Sequence, residues 1–105
     1  MLLLIGSRRH CRVVGNSMTP SISDGDFLIY KPFFINKDIL LENLLILVEN
    51  PLDRDSLIVK RISKINENSV EIIGDNKSIS IDSRQFGKVN KNQIKGIVEK
   101  IIPIQ

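Results

Sequence analysis

The stretch SLIVKRISKINENSVEII, from Ser56 to Ile73, constrains the fold of this chain more than any other. Two β-branched runs flank the cluster Asn66, Glu67 and Asn68. Branched side chains suit a pleated surface better than a helix, and Asn-rich clusters favour turns. The stretch therefore predicts a hairpin. The same signature recurs in FLIY (Phe27 to Tyr30), LLILV (Leu44 to Val48) and IKGIVEKI (Ile94 to Ile101), each short and bounded by Asn, Asp, Gly or Pro. KDILLEN fits either one helical turn or a strand over Ile39 to Leu41, and KPFFINK reads as a loop with exposed aromatics. There is no repeat, low-complexity tract or linker, and 105 residues make one domain. The expectation is a mainly β, single-domain antiparallel fold spanning residues 1–105.

Composition excludes several functions. Hydrophobic residues at 42% and charged residues at 26% are ordinary for a folded globular chain. The net charge of +3 comes from lysines interspersed with acids, and one tyrosine and four phenylalanines offer little for base stacking. A nucleic-acid partner is therefore not expected. Met1 to Ile5 is an apolar run followed by Arg8 and Arg9, but a secretory signal carries its positive charge before a longer apolar segment. A membrane span needs about 20 apolar residues. The run is expected to form an edge strand or to pack on the core. The other apolar candidate, Ile39 to Val48, is broken by Glu42 and Asn43. With no span, no signal and one unpaired cysteine, Cys11, a cytoplasmic protein without an integral membrane segment is expected.

The polar residues leave few routes to catalysis. His10 is the only histidine, and its neighbour Cys11 should point to the opposite face of an extended chain, so no metal site or cofactor is expected. A Ser-His-Asp triad would have to use His10, whose setting is unsuitable. The remaining way to activate a serine is a lysine whose ammonium is destabilised by burial. Alternation in SLIVKRI puts Ile58, Lys60 and Ile62 on one face. Lys60 is then either a desolvated amine or an edge-strand lysine whose stem covers the isoleucines while its head reaches water. Ser17, in VVGNSMTP, is either a nucleophile displayed on a turn or an ordinary turn residue.

Three blocks, in order, carry a family resemblance. GNSMTPSISDGD resembles the nucleophile block of the type I signal peptidases, IVKRI the block that carries their lysine, and GDNKSISIDSRQFGKV (Gly74 to Val89) their third block. The resemblance implies an antiparallel fold of the signal peptidase catalytic-core type. It also implies that Ser17 is the nucleophile, with its own backbone N–H as oxyanion donor, and that Lys60 is the general base. Ser80 would orient the lysine, and Asp82 and Arg84 would form a supporting ion pair; the residue types of Gly74 to Asn76 read as a hairpin turn that supports the site. Two departures stand out: Gly15 where many signal peptidases place a second oxyanion serine, and Glu42-Asn43 in place of a Gly-Asp pair.

The expected substrate is a precursor protein bound as an added strand near Val13 and Val14. A small member without the membrane anchors of exported-preprotein peptidases resembles the maturation proteases of nickel-type superoxide dismutase, which remove a short N-terminal leader. Three alternatives accompany this reading. A signal peptidase-like domain would need a partner anchor, for which PFFI is the visible apolar surface. A self-cleaving repressor-type protein would need a cleavage site and a DNA-binding half upstream of Ser17, and with sixteen residues there it is not expected. A non-enzymatic β module would tolerate loss of Ser17 and Lys60.

Overall fold

A computed structural model of the chain describes residues 8–104; the segment Met1 to Ile5 lies outside them. The elements in order are β1 (Arg9–Arg12), β2 (Phe27–Pro32), β3 (Leu45–Asn50), β4 (Asp53–Ile65), β5 (Ser69–Ile73), the one-turn helix α1 (Ser83–Phe86), β6 (Val89–Asn90), a 3-10 turn (Lys91–Gln93) and β7 (Ile94–Ile102). The seven strands form one antiparallel sheet in the order β1-β2-β7-β3-β4-β5-β6. The fold is therefore mainly β and antiparallel, as the short branched runs require.

The continuous apolar run of β3 has a specific cause: the sheet is covered on both faces. Ile46 and Val48 point into one core with Ile62, Val70, Ile72, Val89, Ile94 and Ile97. Leu47 points into a second core with Val13, Met18, Ile22, Leu28 and Val59. Alternating side chains of a central strand thus find apolar partners on either side. The second core is closed by the connection between β1 and β2, which is the segment carrying Ser17.

The hairpin read from Ser56 to Ile73 is present: β4 and β5 pair from Arg61↔Ile73 to Ile65↔Val70, and Asn66 N–H donates to Ser69 O at 2.8 Å. KDILLEN forms neither of its two expected elements. Leu40 packs on the core while Ile39 and Leu41 face water, and the chain enters β3 through Asn43 at φ 72°. Asparagine tolerates this left-handed conformation better than most residues, so Glu42-Asn43 still supplies a turn. In KPFFINK, Lys31 and Pro32 complete β2 and Phe33 packs on the core, leaving Phe34 as the exposed aromatic.

Gly74 to Asn76 form a bend but not a hairpin turn. The chain beyond β5 runs on through Ser80 to α1 instead of folding back as a partner strand, because its polar groups are engaged with β4 and with the Ser17 loop.

Candidate active site

The loop from Val13 to Asp26 is built to hold one serine near the surface. Its ends are tied by Val13 N–H to Asp26 O and Gly25 N–H to Val13 O, both 2.8 Å. Asp24 accepts from Gly15 N–H at 2.7 Å, and Asp26 accepts from Ser23 N–H at 2.8 Å. Met18 and Ile22 are buried in the second core, which leaves Ser17 half-buried between their anchor and the exposed Gly15-Asn16 bend. Thr19 N–H donates to Asn16 O at 3.2 Å. Ser17 N–H meets no protein acceptor among the described residues.

Lys60 lies on β4 opposite Ile46 and is only 3% exposed. The solvent-reaching alternative is thus overturned, because the loop after β5 closes over the amine. Lys60 Nζ donates to Ser80 Oγ at 2.9 Å, and Ser80 Oγ donates to Asp82 Oδ2 at 2.8 Å. The donor directions follow from chemistry. An ionised carboxylate can only accept, so the Ser80 hydrogen goes to Asp82 and the Ser80 lone pair receives an N–H of the lysine.

Asp82 is fully buried. Desolvation acts to raise its pKa but is overcome by hydrogen bonds from Arg84, Gly74 N–H and Ser80, which hold the carboxyl well below the usual range. The Arg84 partner sits at 2.9 Å. Burial pushes the Lys60 ammonium down from its ordinary value; the Asp82 charge opposes that shift and the Arg84 charge adds to it.

Gly74 is where the serine loop meets Ser80, the residue that holds the lysine. A Cβ at this position would lie 2.1 Å from Ser80 Oγ and 2.6 Å from the Ser17 carbonyl oxygen, so only glycine permits the approach. The next residues bind the same two elements together. Asn76 N–H donates to Ser17 O at 2.9 Å, and the Asn76 side-chain amide reaches Thr19 Oγ1 at 2.9 Å. Asp75 accepts from Ser21 Oγ at 2.6 Å and from Arg61 Nε and Nη2 at 2.9 and 2.8 Å.

Of the residues singled out from the sequence, Lys60, Ser80, Asp82 and Arg84 are joined by hydrogen bonds, and Ser17 is brought against Gly74 through its backbone. The Arg61–Asp75–Ser21 clamp was not anticipated. Its signal was the Gly-Asp-Asn triplet, whose residue types suit a turn as well as a bridge.

A cleft of about 330 Å³ opens beside Ser17. Cys11, Val13 and Val14 line one side, Ser56 to Val59 the other, and Leu28 and Leu47 the floor. Burial raises the Cys11 thiol pKa. The β4 side of the cleft has an open edge: β3 pairs with Leu57 to Val59, whereas β5 pairing begins only at Arg61. Among the described residues, no group of three or more His, Cys, Asp or Glu side chains could hold a metal ion. No helix among them is long and apolar enough to cross a membrane.

Comparison with known proteins gives one family model, Peptidase S24-like, which matches residues 7–99. No curated protein matches the chain.

Proposed function

Since the chain belongs to the Peptidase S24-like family, a serine peptidase family related to but distinct from the signal peptidases, we propose that it is an endopeptidase working through Ser17 and Lys60. The observation that carries this reading is the buried Lys60 amine, bonded to Ser80 at 2.9 Å. A neutral amine has one lone pair and two hydrogens. Donating one hydrogen to Ser80 orients the group and leaves the lone pair to take a proton from Ser17 Oγ as it attacks the scissile carbonyl.

The resulting oxyanion is held by Ser17 N–H, which no acceptor among the described residues occupies. The Lys60 ammonium then protonates the leaving amine, giving an acyl-enzyme on Ser17. Neutral Lys60 next takes a proton from a water that attacks the ester carbonyl, and returns it to Ser17 Oγ as the ester bond breaks and the new carboxylate leaves. Asp82 and Arg84 fix Ser80, and through it the amine; neither touches the reacting atoms.

The peptide is bound as an added strand in the cleft, between Val13-Val14 and the open edge of Ser56 to Val59. Main-chain hydrogen bonds supply affinity, and the apolar floor selects the side chains. For the substrate we propose a precursor with a short N-terminal leader, with nickel superoxide dismutase as the specific candidate on the resemblance in size and sequence blocks to its maturation proteases.

The test is to mix the protein with that precursor and with a proteome-derived peptide library, and to map new termini by mass spectrometry. Removal of the leader by the wild type, with a loss of at least about 10⁴-fold in Ser17→Ala, is the expected result. Cleavage of library peptides with the precursor untouched would retain the peptidase and discard this substrate. Cleavage by a folded Ser17→Ala protein would discard the dyad.

A further inference from the structure

The connection from β2 to β3 holds apolar side chains out of the protein. Phe34, Ile35, Ile39 and Leu41 are 57%, 50%, 82% and 63% exposed. The loop that carries them is braced. Phe34 N–H donates to Asp38 Oδ2 at 2.8 Å, Phe34 O accepts from Lys37 and Asp38 N–H at 3.0 and 2.9 Å, and Lys31 Nζ reaches Asp38 Oδ1 at 3.3 Å. Phe33 and Leu40 anchor the same loop in the core. A segment so tied cannot fold its apolar tip back onto the protein.

Beside the tip lies a shallow, open depression of about 610 Å³. Lys37, Lys91 and Lys95 line it together with Phe33, Phe34 and Ile94; Lys95 is paired with Glu49 at 3.6 Å, which leaves Lys37 and Lys91 as the cations of the face. It shares no residue with the Ser17 cleft.

We propose that this face is a docking surface for an anionic lipid bilayer, with Phe34 and Ile35 entering the headgroup boundary and Lys37 and Lys91 resting on the phosphates. Two features favour a bilayer over an acidic protein. The apolar groups protrude from one loop, and a bilayer takes up protruding side chains without needing a matching concavity. The cations also flank the protrusion, which supplies the pairing of apolar insertion with basic charge that reversible membrane binding uses. This inference goes beyond the peptidase reading and does not depend on it.

The experiment is co-sedimentation of the full chain with sucrose-loaded vesicles of phosphatidylcholine alone and of phosphatidylcholine with phosphatidylserine at about 7:3, at low and raised salt. Binding to the anionic vesicles is expected to weaken with salt and to exceed binding to the neutral ones. Lys37→Ala and Lys91→Ala should each weaken it roughly fivefold. Phe34→Ser with Ile35→Ser, shown to be folded by an unchanged circular dichroism melt, should weaken it at least about tenfold. Ser17→Ala should bind as the wild type, so a failed peptidase assay leaves this result standing. The proposal is overturned by equal binding to neutral vesicles, or by full retention in the Phe34/Ile35 variant. Retention of soluble polyglutamate with no vesicle binding also overturns it and points to an acidic protein partner.

Discussion

At the residue scale, the two glycines of the site respond in opposite ways to what surrounds them. Gly74 is crowded: an added methyl would meet Ser80 Oγ at 2.1 Å and Ser17 O at 2.6 Å, so Gly74→Ala must push the serine loop away from the lysine. The expected cost is about 2 kcal/mol in an unfolding titration, with peptidase activity falling at least about 100-fold. Gly15 is in open space but at φ +90°. Gly15→Ser, which would reintroduce the side-chain oxyanion donor of many signal peptidases, is therefore expected to lose about 1 kcal/mol and to gain no rate; a faster enzyme would show that the turn accepts the side chain. Lys60 gives a sharper test. Lys60→Arg cannot accept a proton and should be inactive. Lys60→Met should be inactive yet melt no lower than wild type at a pH below the Lys60 pKa, because there it removes a charge that burial disfavours. An active Lys60→Arg protein would place the base elsewhere.

At the element scale, the loop from Gly74 to Asp82 takes the place of a longer β5 alongside β4. It closes over Lys60 and is fastened outside by Arg61, Asp75 and Ser21. Asp75→Ala cuts that fastening. The pair is only partly screened from water, so about 1 kcal/mol of stability is expected to go, but kcat should fall by a larger factor than stability alone explains, since Asn76 and Gly74 are what hold the Ser17 backbone against the loop that carries Ser80. A drop in stability with kcat unchanged would show that the clamp is merely structural. How far these elements could be read from sequence depends on what forms each one. β2, β3, β4, β5 and β7 announce themselves because branched residues and turn residues act locally. β1, RHCR, has no such signal; it is a strand only because Arg9 to Arg12 pair with Tyr30 to Phe27, and the Arg12 guanidinium, 4.5 Å from the Phe27 ring centroid, adds a contact no pattern announces. The burial of Lys60 is of the same kind. Alternation placed it between Ile58 and Ile62, but whether its head met water depended on a loop fourteen or more residues away.

At the scale of the whole molecule, the site and the fold respond to pH in different windows. The folded pKa of Lys60 is depressed by desolvation, so the neutral base accumulates as pH rises through that value; on the dyad reading the rate rises with it and levels off. Asp82 and Asp75 are shifted the other way. Desolvation is outweighed by donors at Asp82, and the Arg61 hydrogen bond leads at Asp75, so both folded pKa values lie below the usual carboxylate range. Between the folded and unfolded values the unfolded chain binds more protons, and stability therefore falls as pH drops through that interval. The stabilisation from these carboxylates is fully present above about pH 4 and is lost only below it. On the dyad reading, the interval above about pH 4 and below the Lys60 pKa is expected to hold a folded protein that is idle because its base is protonated. Following kcat/KM and the circular dichroism signal on the same samples from pH 3 to pH 10 is the check. Activity is expected to disappear first as pH falls, with the fold intact and activity returning at once when the pH is raised. If the two signals fall together, loss of activity is unfolding and Lys60 is not the group that titrates.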